Sequence, residues 1–247
     1  MADGTRSDRA GGPAPERDGA RPAALLFDWD NTLADTWPAI HHALAATFRA
    51  MGREPWTFEE TQARVRASAR DSFPVLFGDR AEEAMAVFYG CFESDHLSQL
   101  KERPGATAML ERLKGAGFYL AVVSNKRGDL LRQEADALDW TRLFARLVGA
   151  NDAARDKPAA EPVRMALDGS GLAPGRHVWF VGDTDIDLVC AATSGCVPVL
   201  LRAEPPRPDE FGNHPPERHF DSCAALARVL TGGEGRRVAR QATVTKV

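Results

Sequence analysis

The chain has 247 residues, with 31 Lys and Arg against 35 Asp and Glu for a formal net charge of -4. That balance excludes a strongly basic nucleic-acid binder, which gathers Lys and Arg on one face, and 44% hydrophobic with 27% charged residues is ordinary for a soluble globular chain. No run approaches the roughly 18 apolar residues of a membrane span, and Cys91, Cys190, Cys196 and Cys223 lack CxxC pairing or His partners at zinc-finger spacing. Neither a nucleic-acid nor a membrane partner is expected, the cysteines read as small reduced apolar residues, and a cytoplasmic location is the default expectation.

Residues 1 to 21 hold too little apolar surface to offset ordering entropy and read as a disordered tail. Ala23-Ala24-Leu25-Leu26-Phe27 is a short apolar run that predicts a central parallel strand. Helical spacing then takes over. Ile40, Ala43, Leu44, Phe48 and Met51 share one face, and Ala84, Val87, Phe88, Cys91 and Phe92 repeat the pattern. Between them lie a weaker helical stretch over residues 58 to 69 and a break over residues 71 to 78. With no strand signal between Leu33 and Pro104, residues 34 to 103 read as an all-helical insertion.

Pro104-Gly105 opens the next helix, which runs through Met109, Leu110 and Leu113 and ends near Gly115 and Gly117. Residues 119 to 123 predict a second strand ending at Ser124, and residues 127 to 138 a helix. A short third strand over residues 147 to 149 precedes a helix over residues 162 to 169. Residues 177 to 181 and 197 to 201 predict the fourth and fifth strands. Five prolines between residues 202 and 219 predict a surface loop, followed by a helix over residues 224 to 230 and a second tail from 231 to 247. Strands alternating with helices predict an α/β fold with a doubly wound parallel sheet, built from residues 22 to 33 and 104 to 230.

An open parallel sheet collects functional groups at the carboxyl ends of its strands. Asp28 and Asp30 follow the first strand, Ser124-Asn125 the second, and Gly182-Asp183 with Asp187 the fourth; Lys157-Pro158 lies in a loop. Side chains two apart on an extended run share a side, so both carboxylates of the first pair can face one site while Trp29 turns away. A cation or shared proton must offset such a pair, although a solvated loop with two exposed acids is the plainer alternative. Ser124 and the N–H of Asn125 can hold a phosphate oxygen, or Ser124 can cap the next helix. Asp185 and Asp187 can equally be helix N-terminal acids, and Lys157 a solvated loop residue.

The four pieces in order resemble the haloacid dehalogenase superfamily. Phe27-Asp28-Trp29-Asp30-Asn31-Thr32-Leu33 is similar to its DxDxT signature, and Ser124, Lys157 and Gly182-Asp183 through Asp187 match its other three motifs over about residues 23 to 230. Within the superfamily the chain looks most like the phosphoglycolate phosphatase branch. That branch also places a helical cap between the first two motifs, and its return to the core resembles Glu102-Arg103-Pro104-Gly105. Asn31 stands where the family usually has Gly, and Asn is the residue that best tolerates the left-handed backbone this implies. Trp29 is bulkier than the usual Leu.

The resemblance implies a Rossmann-like core with an inserted cap, and a Mg²⁺-dependent phosphatase of a small phosphorylated metabolite. Asp28 would attack phosphorus and Asp30 act as general acid and base. Thr32, Ser124, Asn125 and Lys157 would hold the phosphoryl group. Asp28, Asp183 and the main-chain oxygen of Asp30 would hold Mg²⁺, with Asp187 supporting a metal-bound water or Lys157. A phosphomutase uses the same residues, a regulatory phosphometabolite binder would be expected to have lost one of the three acids, and Asp30 argues against a dehalogenase. Selectivity would fall to the cap, where Arg70, beside Asp71 and Ser72, is suited to a substrate carboxylate, with a solvated turn and an exposed Arg as the plainer alternative. No oligomeric state follows from the sequence.

Overall fold

The computed structural model describes residues 21–232. Six strands form one parallel sheet: β1 (Ala24–Phe27), β4 (Tyr119–Arg127), β5 (Arg146–Ala150), β6 (Val178–Gly182), β7 (Val197–Leu201) and β8 (Arg218–Phe220). Their spatial order is β5-β4-β1-β6-β7-β8, so the chain builds outward from β1 on one side, returns beside β1, and builds outward on the other. The order reverses between β1 and β6, and a crevice opens at such a switch point beyond the strand ends.

The side chains of β1 show why this strand is central. Leu25 and Phe27 pack into one apolar cluster with Met109, Leu110 and Leu113 of α5 (Ala106–Gly115) and Leu226 of α9 (Cys223–Thr231). Ala24 and Leu26 enter the opposite cluster with Val163 and Leu167 of α7 (Glu161–Leu167) and Cys190 and Ala191 of α8 (Asp185–Thr193). All four are fully buried, which a strand covered by helices on both faces requires. The doubly wound fold expected from alternating strands and helices is the fold observed.

Between β2 (Ala34–Asp35) and β3 (Lys101–Glu102) the chain forms four helices: α1 (Trp37–Ala50), α2 (Phe58–Arg64), α3 (Ala69–Phe77) and α4 (Ala81–Gln99). Three of them, α1, α3 and α4, share an aromatic cluster. Phe48 meets Phe77 at 5.4 Å between ring centroids, and Phe73 meets Phe77 at 5.2 Å and Phe88 at 5.5 Å. Leu130 of α6 (Gly128–Ala137) is buried in the same cluster and ties the helices to the sheet domain.

Several details differ from the sequence reading. The break expected over residues 71 to 78 lies instead at residues 65 to 68, and α3 runs through Pro74. Asp71 and Ser72 fall in the first turn, Ser68 caps the helix, and burial of Phe73 and Phe77 outweighs the hydrogen bond that Pro74 forfeits. Gly78, at φ 57°, ends it. The antiparallel pair β2–β3 sits where no strand was expected, because two-residue strands are set by the meeting of distant segments and carry no periodicity. Strand β8 likewise falls partly within the segment read as a loop; all three of its residues are half-buried at the sheet edge.

Most of the two expected tails lies outside the described residues. Arg21 does not behave as tail: it donates to the Ala116 carbonyl and lies 4.0 Å over the Phe118 ring. Thr231 closes α9.

Gly149 marks a very close approach of backbone to backbone in the sheet domain. A Cβ there would fall 2.4 Å from the Cα of Gly128 and 2.6 Å from the Lys126 carbonyl oxygen, both backbone atoms with no freedom to swing aside. Gly149→Ala is expected to destabilise the fold by at least the roughly 1–3 kcal/mol of core overpacking. Urea unfolding checks this, and a wild-type midpoint would refute it.

Candidate active site

Strand ends position the acids. Phe27 of β1 pairs with Val181 of β6, and the N–H of Asp28 extends the ladder by donating to the Val181 carbonyl at 2.8 Å. Asp28 and Asp183 therefore leave adjacent strands at the same edge. Thr32 joins them, its hydroxyl lying 3.1 Å from Asp28 Oδ2 and 3.2 Å from Asp183 Oδ1. Between Asp28 and Thr32 the chain turns sharply, with Asn31 at φ 64°, the left-handed conformation for which Asn was judged suitable.

Lys157 enters from the loop after β5 and is 2% exposed. Its Nζ donates to Asp28 Oδ1 at 2.5 Å and to Asp187 Oδ1 at 2.7 Å. Asp187 is held in turn by the first turn of α8, where its Oδ2 accepts from the Thr184 N–H and hydroxyl at 3.1 and 2.9 Å. Asn125 grips the same loop: its Oδ1 accepts from the Lys157 N–H at 3.0 Å and its Nδ2 donates to the Lys157 carbonyl at 3.2 Å. Ser124 is buried beside it, its hydroxyl accepting from the Lys126 N–H at 3.1 Å.

The electrostatics follow from crowding acids out of water. Burial, opposed by Lys157 and reinforced by Asp187 and Asp30, pushes the Asp28 carboxyl up to about 7. Burial, with Asp28 and Asp187 nearby, holds Asp183 well above the usual carboxylate range. Burial works against the charge on Lys157, yet Asp187 and Asp28 overcome it and hold that ammonium above the ordinary lysine value. Oxygens of Asp28, Asp183 and Asp187 lie within 4.8 Å of one another. Three carboxylates against one ammonium leave a local excess of negative charge carried by hard oxygen donors, which fits a divalent cation such as Mg²⁺.

Asp30 lies beyond the end of β1, in the turn. Its Oδ1 accepts from Thr36 at 2.7 Å and from Lys126 Nζ at 2.8 Å. Asp28 and Asp30 line one cavity. Trp29 turns away as anticipated: fully buried, it meets Trp140 edge-on at 5.4 Å and donates from Nε1 to Glu134 at 2.7 Å.

Two groups here escaped the sequence reading. Lys126 bridges Asp30 to fully buried Glu134, which it meets at 2.9 Å, and Glu134 also pairs with His96 of α4 at 3.0 Å. Burial disfavours the Lys126 charge, but Asp30 and Glu134 more than restore it. The available signal was local: Ser124 and Lys126 are two apart in one strand. Its partner Glu134 carried no such signal, since an acid in a helix is ordinarily exposed.

Arg70 does not face the cavity, a correction to the expectation. Its guanidinium lies 2.7 Å from Asp156, whose almost wholly buried side chain needs a counter-charge. The guanidinium-bearing residues on the cavity wall are Arg64, Arg66 and Arg127.

Comparison with known proteins agrees with this geometry. The family model for haloacid dehalogenase-like hydrolases matches residues 25–200. The phosphoglycolate phosphatase of Aquifex aeolicus is 31% identical over 172 residues, 69% of this chain and 80% of that protein. The enzyme of the same name from Neisseria meningitidis is 30% identical over 185 residues, 71% and 78% respectively. A haloacid dehalogenase-like hydrolase structure from Streptococcus pneumoniae superposes with a TM-score of 0.73 at 21% identity, covering 83% of this chain and 97% of that one. The matched span runs from β1 through β7 and so contains every acid and the lysine of the cluster: the chain belongs to the haloacid dehalogenase-like hydrolase family.

Proposed function

We propose that this hydrolase is a Mg²⁺-dependent phosphatase of a small phosphate monoester, working through an aspartyl-phosphate. The observation that carries the reading is the meeting of Asp28, Asp30, Lys157 and Asp183 on the wall of one cavity. The curated relatives, named phosphoglycolate phosphatases, support the reaction class.

In the first step a carboxylate oxygen of Asp28 attacks phosphorus in line, and the bond from phosphorus to the alcohol oxygen breaks. Asp30 gives its proton to that oxygen. Asp30 then takes a proton from the water that attacks phosphorus, the bond to Asp28 breaks, and inorganic phosphate leaves. Lys157, Ser124, Thr32 and the N–H of Asn125 hold phosphoryl oxygens as charge shifts onto them. Asp28, Asp183 and the main-chain oxygen of Asp30 would hold Mg²⁺, which when bound supplies positive charge against the phosphoryl group. Asp187 fixes Lys157, with which it pairs at 2.7 Å. Lys126 holds Asp30 in place between turns of the mechanism, by their 2.8 Å contact. In this reading residues 34 to 103 are a cap that covers the reacting centre.

Asp28→Asn is expected to retain the fold and lose essentially all turnover, since an amide cannot attack phosphorus. Turnover persisting in a contaminant-free preparation would remove the aspartyl-phosphate. EDTA is expected to silence the wild-type protein and added Mg²⁺ to restore it; activity indifferent to both would remove the metal.

Asp30→Asn is expected to lower kcat by ~10²–10⁴ and to leave Mg²⁺ affinity largely intact. The deficit should be greatest for substrates with poor leaving groups. Lost metal affinity with normal kcat at saturating Mg²⁺ would reverse the roles given to the two acids.

A further inference from the structure

The cavity that reaches the acids extends up into the helical insertion, and there its wall changes character. Trp37, Trp56, Leu76, Phe88, Tyr89 and Phe92 line it, and all but Phe92 are only partly buried by their protein neighbours. Large apolar side chains that stop short of full burial around a concave space leave apolar surface for an occupant to cover.

The charged side chains on this wall already have partners. Arg64 pairs with Glu60 at 2.7 Å and lies over Trp56, and Arg66 meets Asp185 at 3.1 Å. Arg127 is held by Glu93 and Asp129 at 2.5 and 2.6 Å, and Lys126 by Asp30 and Glu134. Lys157 serves Asp28 and Asp187. Ser72 donates to the Ser68 carbonyl, and Asn125 is committed to Lys157 and Arg66. Among the described residues, each Lys and Arg lining the cavity has an acidic partner in place. A substrate carboxylate would compete with those acids for each cation, and a sugar would find most of the wall made of aromatic and aliphatic carbon.

We infer that the alcohol released by this enzyme is apolar and no larger than about one six-membered ring. The inference rests on the phosphatase reading, because the phosphoryl group at the acids is what fixes which way the alcohol points. The upper bound on its size comes from the cavity, which measures ≈ 150 Å³ with the end at Asp28, Asp30, Lys157 and Asp183 included. An apolar cavity of about 150 Å³ is enough to take up benzene. The motif residues reach only the phosphoryl group, so discrimination among alcohols is left to this wall.

The test is a series of monoesters with poorly activated alcohols, assayed with Mg²⁺: ethyl phosphate, benzyl phosphate, phosphoglycolate and glucose 6-phosphate. Benzyl phosphate is expected to exceed each of the others in kcat/KM by roughly 10–100-fold, the return on burying one ring. Phosphoglycolate or glucose 6-phosphate matching or exceeding benzyl phosphate would overturn the inference and leave the phosphatase reading standing. No turnover of any of the four would instead sink the phosphatase reading and the inference with it. Ala69 also lines the cavity. Ala69→Leu, shown by thermal unfolding to be folded, is expected to lower the benzyl-to-ethyl ratio at least about tenfold. An unchanged ratio in the folded variant would overturn the inference, and the wild-type series decides the matter if that variant does not fold.

Discussion

The site depends on one buried ammonium. Lys157 is almost wholly enclosed and stands between Asp28 and Asp187, so it joins the end of β1, the loop after β5 and the first turn of α8. Without it, two buried carboxylates would face each other with no counter-charge, and an unpaired charge away from water is among the most destabilising features a protein can contain. The backbone around Lys157 is held as firmly as its side chain, because both halves of the Asn125 amide bond to it. A cation placed this way also solves a chemical problem. It favours the charged form of the proposed nucleophile against burial, and even with it in place that carboxyl is held up to about 7.

A second buried set lies behind the first. Glu134, fully enclosed, accepts from the Trp29 indole, from Lys126 and from the His96 ring. Those three groups come from the turn after β1, the end of β4 and the last helix of the insertion. Lys126 carries the connection on to Asp30. The proposed general acid is therefore oriented by a group that senses how α4 seats on α6, and packing in the insertion is mechanically connected to the acid. The bulky Trp29 is part of that arrangement: its ring fills space against Trp140 while its N–H satisfies an acid that water cannot reach.

The insertion completes the division of labour. The sheet edge presents charge and the helices above present carbon, so a phosphate monoester can be held at its two ends by different physics. Electrostatic preorganisation acts at the phosphoryl group, where charge changes during reaction. Burial acts on the carbon of the alcohol, away from the oxygen that leaves phosphorus. The aromatic rings that line the cavity belong to the same cluster that holds α1, α3 and α4 together, so selectivity and the stability of the insertion are drawn from shared residues.

Much of this was legible in the chain. The strand before Asp28, the strand before Asp183 and the alternation of strands with helices are local patterns, and the period of a strand is set by its own backbone. The left-handed turn at Asn31 is local in the same sense. Three things were not legible. Arg70, read as facing substrate, is drawn to Asp156, and nothing near position 70 in the sequence signals that a buried acid 86 residues away needs it. Lys126 and Glu134 look like surface charges until the fold closes over both. Helix α3 forms across residues read as a break, because burying Phe73 and Phe77 outweighs the hydrogen bond that Pro74 forfeits. The sequence by itself determined five of the six strands of the sheet and at which edge the acids stand, since those follow from short-range periodicity. Only the tertiary structure decided which charges are paired, and it did so because removing groups from water compels each buried ion to find whatever partner the packing brings within reach.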